Sequence, residues 1–171
     1  MRIFLVGFMG SGKTRIGKVM AQHLGYAFVD MDQQLEARFG MTVSEIFAEL
    51  GETAFREAER EWIDNLAQSE QLVISTGGGT PCYGDTMEKM NKLGKTVYLQ
   101  VSDLGLYTRL SEPRRKAKRP LIADLPDKEL KAYVCNTLAL RAPFYQKAHI
   151  TVNGMLPVEE VVPEIMRKLF V

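Results

Sequence analysis

Cysteine is nearly absent from this chain of 171 residues, which carries only Cys82 and Cys135 and no C-x-x-C pair. Two distant thiols supply neither a disulfide framework nor a zinc-ligand spacing, and they fit a reducing compartment. Long apolar runs are missing too, since no stretch reaches the roughly 18 residues that a membrane-crossing helix needs. Charge of one sign is not in surplus. The 22 Lys and Arg against 21 Asp and Glu leave a net charge of +1, so there is no overall basic footprint for nucleic acid. No basic and apolar leader stands before the first apolar run, and the expected location is cytoplasmic. Repeats and low-complexity linkers are lacking, with Pro and Gly punctuating single turns. At 46% hydrophobic residues the chain suffices for one sizeable core, so residues 1–171 are expected to form a single domain.

What the chain does have is glycine in a telling order. Residues 7–14, GFMGSGKT, satisfy G-x-x-x-x-G-K-T/S and follow the apolar run Ile3-Phe4-Leu5-Val6, so the predicted order is strand, glycine loop, helix. Glycines let the backbone fold tightly with its N–H groups aimed at phosphate oxygens, and the lysine reaches the terminal phosphates. Gly10, Ser11, Gly12, Lys13 and Thr14 are therefore candidate nucleotide ligands, with the Thr14 hydroxyl left for Mg²⁺. The helix that starts near Lys13 adds its positive dipole end at the same spot.

Along the rest of the chain, Ile16, Val19, Met20 and Leu24 recur at helical spacing, and Gly25 closes that helix, with His23 a last-turn cation. Ala27-Phe28-Val29 predicts a second strand, and Asp30-Met31-Asp32 places two acids at its carboxyl end, where open α/β sheets bind ligands. They could instead cap the next helix. Thr42-Val43-Ser44-Glu45 reads as a capping box for a helix stopped by Gly51, and a second helix follows with Phe55, Ala58, Trp62, Ile63 and Leu66 inward. Glu52, Arg56, Glu59, Arg60 and Asp64, by spacing alone, read as a solvated charged face. Leu72-Val73-Ile74-Ser75 is a third strand. The Gly77-Gly78-Gly79 run after it is costly unless something approaches the backbone closely, and a ligand is expected there ahead of a merely tight strand-to-helix turn.

Residues 95–101 are a fourth strand, with a helix near 104–110. The basic stretch 112–120, bounded by Pro113 and Pro120, reads as a flexible lid closing over a triphosphate, ahead of a solvated loop or a polyanion contact. A long helix from near Asp127 should end or kink at Pro143. Ile150-Thr151-Val152 is the fifth strand, after a structural His149. Pro157 suits the start of a last helix whose stripe is Val158, Val161, Val162, Ile165, Met166, Leu169 and Phe170, although Pro163 requires a kink or a later start.

Together these residues resemble the shikimate kinases along nearly the whole chain. The family's phosphate loop corresponds to residues 7–14, its paired acids to Asp30 and Asp32, and its Gly-Glu-x-x-Phe-Arg-x-x-Glu to residues 51–59. Its triple glycine corresponds to Gly77, Gly78 and Gly79, its Arg-Pro-Leu to Arg119-Pro120-Leu121, and its Arg-x-Pro-x-Tyr to Arg141-Ala142-Pro143-Phe144-Tyr145. The resemblance implies ATP-dependent, Mg²⁺-dependent phosphorylation of the shikimate 3-hydroxyl. It assigns Lys13 and Arg119 to the phosphates, Asp32 to the ring hydroxyls and the role of base, and Arg56 and Arg141 to the carboxylate. Glu59 would orient Arg56, Gly77, Gly78 and Gly79 would line the acceptor, and Thr14 and Asp30 would serve the metal. Arg109 would stack on adenine, with Asn153 and Pro157 opposite. The fold implied is a nucleoside-monophosphate-kinase-like three-layer α/β sandwich, a five-stranded parallel sheet flanked by helices. A substrate-binding helical segment at about 31–62 and a mobile lid at about 111–124 complete it. A monomer is expected, with no nucleic-acid or membrane partner. The alternatives are another kinase of this fold, acting on gluconate or a nucleotide, and a nucleotide-dependent switch.

Overall fold

The computed structural model describes residues 1–68 and 70–170, with the backbone alone for Ala67 and Gln68. Strand and helix alternate through β1 (Arg2–Val6), α1 (Lys13–Leu24), β2 (Ala27–Asp30), α2 (Met31–Phe39), α3 (Val43–Asp64), β3 (Leu72–Ser75) and α4 (Thr86–Leu93). They continue through β4 (Lys95–Gln100), α5 (Asp103–Ser111), α6 (Pro113–Ala117), α7 (Pro120–Ala123), α8 (Asp127–Tyr145), β5 (Ile150–Asn153) and α9 (Val158–Phe170). Every strand pairing is parallel, and the sheet order is β2-β3-β1-β4-β5. Parallel neighbours cannot be joined by a tight turn, so helical crossovers cover both faces and give the three-layer sandwich expected from the sequence.

Alternation along β1 decides how the core divides. Ile3 and Leu5 join Val73, Val97, Leu99 and Val152 beneath α1 and α9. Phe4 and Val6 join Ile74 and Tyr98 beneath residues of α3, α4, α5 and α8. A separate cluster of Leu35, Ile46, Phe55 and Ala58 knits α2 to α3. The capping box at the start of α3 is formed, with the Glu45 N–H donating to Thr42 Oγ1 at 3.2 Å and the Thr42 N–H to Glu45 Oε2 at 2.7 Å. Gly51 leaves helical geometry inside α3 (φ 84°, ψ 166°), where the sequence predicts one helix ending and another starting.

Several boundaries differ from expectation. Pro143 does not end α8, which runs on to Tyr145, and the Gln146 N–H donates to the Ala142 carbonyl at 2.9 Å. A proline inside a helix costs about 3 kcal/mol. Burial of the Tyr145 ring offsets about 2 kcal/mol of that. The bond from its hydroxyl to the Gly78 carbonyl, 2.5 Å long, contributes about 1 kcal/mol more. Pro163 lies inside α9, between buried Val161 and Val162 on one side and Ile165 on the other, so packing holds the helix through it. The N–H it lacks would have gone to Glu159, an exposed residue of the first turn. Phe170, read as part of the inward stripe, is exposed. The fourth strand stops at Gln100, one residue short of the reading. The basic segment is not an irregular loop: Pro113 and Pro120 each open a short helix, and the Lys116 amine donates to the Leu125 carbonyl.

Candidate active site

The register of the sheet gathers three loops at one edge. Leu5 and Asp30 both lie opposite Ser75, so the segments leaving β1, β2 and β3 emerge side by side at the carboxyl ends. A cavity of about 900 Å³ opens there, walled by the phosphate loop, Asp30, Asp32, Gly77 and Gly78, with Arg109 and Arg119 across it.

In the phosphate loop Gly10 (φ 81°) and Gly12 (φ 101°) take the left-handed backbone that side-chain-bearing residues avoid. Gly12 caps α1 with no side-chain hydrogen bond, so the first N–H groups of that helix are left for an anion. Ser11 Oγ is buried without a hydrogen-bond partner among the described residues. Such an orphan costs about 1–3 kcal/mol, and a ligand oxygen would satisfy it. Lys13 is buried and folded back on its own loop, donating to the carbonyls of Gly7 at 2.8 Å and Phe8 at 2.9 Å. Burial pulls its amine down to about 8, against the opposing pull of Asp32 and Asp30.

Asp30 caps the next helix and also faces the phosphate loop. Its Oδ1 accepts from the Gln33 N–H at 3.4 Å and caps α2, while its Oδ2 accepts from the Thr14 hydroxyl at 3.2 Å. Two hard oxygens this close beside a phosphate loop are the donor set that Mg²⁺ takes, along with phosphate oxygens and water, so the residues present fit that ion. Asp32 lies in the first turn of α2 with its carboxyl lifted to about 6, chiefly by burial and then by Glu59 and Asp30, with Lys13 opposing.

Space is tight at the triple glycine, most of all at Gly79. None of the three has a positive φ. A Cβ on Gly79 would lie 2.2 Å from Arg56 Nη2, one on Gly78 3.2 Å from Arg141 Nη1, and one on Gly77 3.0 Å from Asp32 Oδ1 and 3.1 Å from Glu59 Oε1. The residues that the resemblance assigns to the acceptor thus converge on this turn. Arg56 and Glu59 are 8% and 1% exposed, so they are not part of a solvated face. Arg56 Nη1 donates to Glu59 Oε2 at 2.8 Å, and its Nε reaches Glu52 Oε1 at 3.4 Å. Its guanidinium carbon lies 5.7 Å and 5.5 Å from the rings of Phe47 and Phe55. That of Arg141 lies 5.6 Å from the ring of Phe8.

On the nucleotide side Arg119 reaches the cavity between α6 and α7, its Nη1 donating to the Arg115 carbonyl at 2.6 Å. Arg109 donates from Nη1 to the Gly10 carbonyl at 3.1 Å and from Nη2 to the Gly154 carbonyl at 2.7 Å. Those bonds use the edge of the guanidinium, which leaves stacking through its flat face. Pro157 lines the cavity, whereas Asn153 does not: its Oδ1 accepts from the Met155 N–H at 3.0 Å and shapes the turn instead. Sequence reasoning missed Thr80, the Glu52 contact and the Tyr145–Gly78 bond. Tyr145 lies in a quoted motif, but nothing in the spacing says what its hydroxyl meets. His23 and His149 are structural, bonded to Val19 and Thr96. Burial pushes the Cys82 thiol up to about 11, which keeps it neutral.

The sequence matches the shikimate kinase family over residues 9–170. The chain belongs to that family. The shikimate kinase of Parabacteroides distasonis is 49% identical over 153 residues, covering 90% of this chain and 87% of that one. The crystal structure of shikimate kinase from Bacteroides thetaiotaomicron superposes with a TM-score of 0.94 at 42% identity, covering 100% of this chain and 99% of that one. The Acinetobacter baumannii shikimate kinase, solved in complex with shikimate, gives a TM-score of 0.87 at 29% identity over 98% and 92% of the two chains. In this shikimate kinase family member no group of three or more His, Cys, Asp or Glu among the described residues is placed to hold a metal. Nor is any helix among them long and apolar enough to cross a membrane.

Proposed function

We infer that the protein transfers the γ-phosphoryl group of ATP to the 3-hydroxyl of shikimate, giving shikimate 3-phosphate and ADP on the route to chorismate and the aromatic amino acids. The observation that carries this reading is the convergence of Arg56, Glu59 and Arg141 on the triple glycine, whose Gly77 and Gly78 share a cavity with the phosphate loop. Two guanidinium forks recognise a carboxylate through paired N–H donors, and the N–H groups of Gly78 and Gly79 add to them.

Phosphoryl transfer leaves the protein mostly positioning and charge stabilisation. Lys13 exchanges its loop carbonyls for β- and γ-phosphate oxygens, and Arg119 meets the same charge from the lid. Asp32 orients the acceptor and takes the 3-hydroxyl proton as that oxygen bonds to phosphorus, while the bond to the β–γ bridging oxygen breaks and ADP leaves with the electron pair. Thr14 and Asp30 would hold Mg²⁺, which when bound neutralises the phosphate oxygens. Arg109 and Pro157 flank the adenine. Closure of residues 111–124 excludes water, which limits hydrolysis of ATP. The chain acts as one domain and a cytoplasmic monomer, independent of nucleic acid and membrane. A gluconate acceptor would also use the carboxylate clamp, whereas a nucleotide acceptor or a nucleotide switch leaves the arginine pair without a task.

Arg141→Lys keeps the charge and loses the fork, so the KM for shikimate rises about tenfold or more while that for ATP stays within about twofold. Steady-state kinetics with each substrate varied checks this, and a larger shift in the KM for ATP would move Arg141 to the nucleotide site.

A further inference from the structure

The triple glycine runs into a single 3-10 turn, Thr80–Cys82, and Thr80 at its start is fully buried. The Thr80 hydroxyl donates to Glu59 Oε1 at 2.5 Å, across 21 residues of sequence. The other oxygen of that carboxylate, Oε2, accepts from Arg56 Nη1 at 2.8 Å. Each oxygen of a carboxylate that is 1% exposed therefore has its own donor, one a hydroxyl and one the substrate-facing arginine.

We propose that Thr80 is a positioning residue for the acceptor, fixing through Glu59 the orientation in which Arg56 meets the shikimate carboxylate. It rests on the assignment of Arg56 to that carboxylate. The reason lies in what else could fix the guanidinium. Its contacts to Glu52 are 3.4 Å long, and the Glu52 side chain is 67% exposed, so water competes for them. The rings of Phe47 and Phe55 give it apolar neighbours but no hydrogen-bonding direction. Glu59 gives direction only if its own carboxylate is held, because the terminal torsion of Glu has broad wells and one hydrogen bond leaves the group free to swing. The Thr80 hydroxyl supplies the second point.

Thr80 is well placed for this. It is β-branched and stiff about χ1. Its N–H donates to the Gly77 carbonyl at 3.3 Å, and the Cys82 N–H donates to the Gly79 carbonyl at 3.0 Å, so the turn is internally bonded. The same turn carries the Gly78 and Gly79 N–H groups. Backbone donors and arginine are thus set against each other by one short unit, and a shift in either would open the clamp. Burial pushes the Glu59 carboxyl up, and Arg56 and the Thr80 hydroxyl pull it back, so the hydroxyl also helps to keep the group charged.

The test compares Thr80→Val, which keeps the shape and removes the hydroxyl, with Thr80→Ser, which keeps the hydroxyl, in an ADP-release assay on the full chain. Thr80→Val raises the KM for shikimate about tenfold, the loss expected for one hydrogen bond to a charged group, with the KM for ATP within about twofold. Thr80→Ser returns the KM for shikimate to near the wild-type value. A double-mutant cycle with Glu59→Gln adds a readout that packing alone would not move: if Thr80 acts through Glu59, Thr80→Val adds little on top of Glu59→Gln. Thr80→Cys, with its weak donor, gives an intermediate KM and serves if Thr80→Val does not fold. A wild-type KM for shikimate in Thr80→Val, equal defects in the Val and Ser variants, or fully additive effects in the cycle would each overturn the proposal. Failure of the functional reading looks different, because the wild-type chain itself would then release ADP without regard to shikimate.

Discussion

Asp30 and Asp32 are separated only by Met31, whose fully buried side chain sets the two flanking carboxylates at the cavity wall. Their surroundings divide the work. Asp30 faces the Thr14 hydroxyl and caps α2, while Asp32 lies against Gly77 with its carboxyl lifted to about 6 by burial. Asp32→Asn keeps size and polarity but cannot accept a proton, so kcat should fall by roughly 10² to 10⁴, with no rescue by Mg²⁺. Asp30→Asn should lose activity that returns as Mg²⁺ is raised. Titrating Mg²⁺ against kcat in both variants checks the pair, and rescue of Asp32→Asn alone would mean that the roles are exchanged. That both acids stand at one cavity was legible from their place at a strand end. Which of them neighbours Thr14 came from the resemblance and not from spacing, because that contact spans 16 residues and depends on how β2 packs.

At the scale of elements, the turn after β3 shows how far a sequence pattern reaches. Three consecutive glycines announce a close approach to the backbone, expected from the sequence to be that of a ligand. What approaches Gly79 is Arg56, a residue whose helical spacing had suggested solvent. Periodicity along one helix cannot report what another loop brings to it, so a buried ion pair and a solvated one look alike in sequence. A methyl group at Gly79 would have to displace a guanidinium already bonded to Glu59 at 2.8 Å. Gly79→Ala should therefore raise the KM for shikimate by about tenfold or more and leave the KM for ATP within about twofold. Thermal melts alongside the kinetics would separate this from unfolding, and an unchanged KM for shikimate would place the Arg56 side chain elsewhere in solution. Pro143 gives the opposite lesson. A strong local rule predicts an end or a kink, yet burial of Tyr145 and its bond to Gly78 carry the helix two residues past the proline.

Over the whole molecule, strands alternating with helices made a parallel sheet readable, but the order β2-β3-β1-β4-β5 was not. Order depends on which side each crossover takes, a choice made by the packing of two apolar faces and not by any local motif. That order matters chemically, because the neighbouring of β1, β2 and β3 brings the phosphate loop, the paired acids, Gly77 and Gly78 to one cavity. Most of the candidate site residues were legible because they sit in short motifs with their own chemistry, whereas Arg109, Asn153 and Pro157 rested on the resemblance alone. Thr80 was not legible, since a threonine beside glycines carries no signal until the fold sets it against Glu59. ATP set beside a carboxylate-bearing acceptor predicts that turnover of one requires the other. The direct measurement is ADP release by the wild-type chain with ATP and Mg²⁺, with and without shikimate, while phosphorus NMR follows any new phosphate ester. ADP should form only with shikimate, in step with one ester per turnover, and ADP release at the same rate without shikimate, with no ester formed, would contradict the assignment.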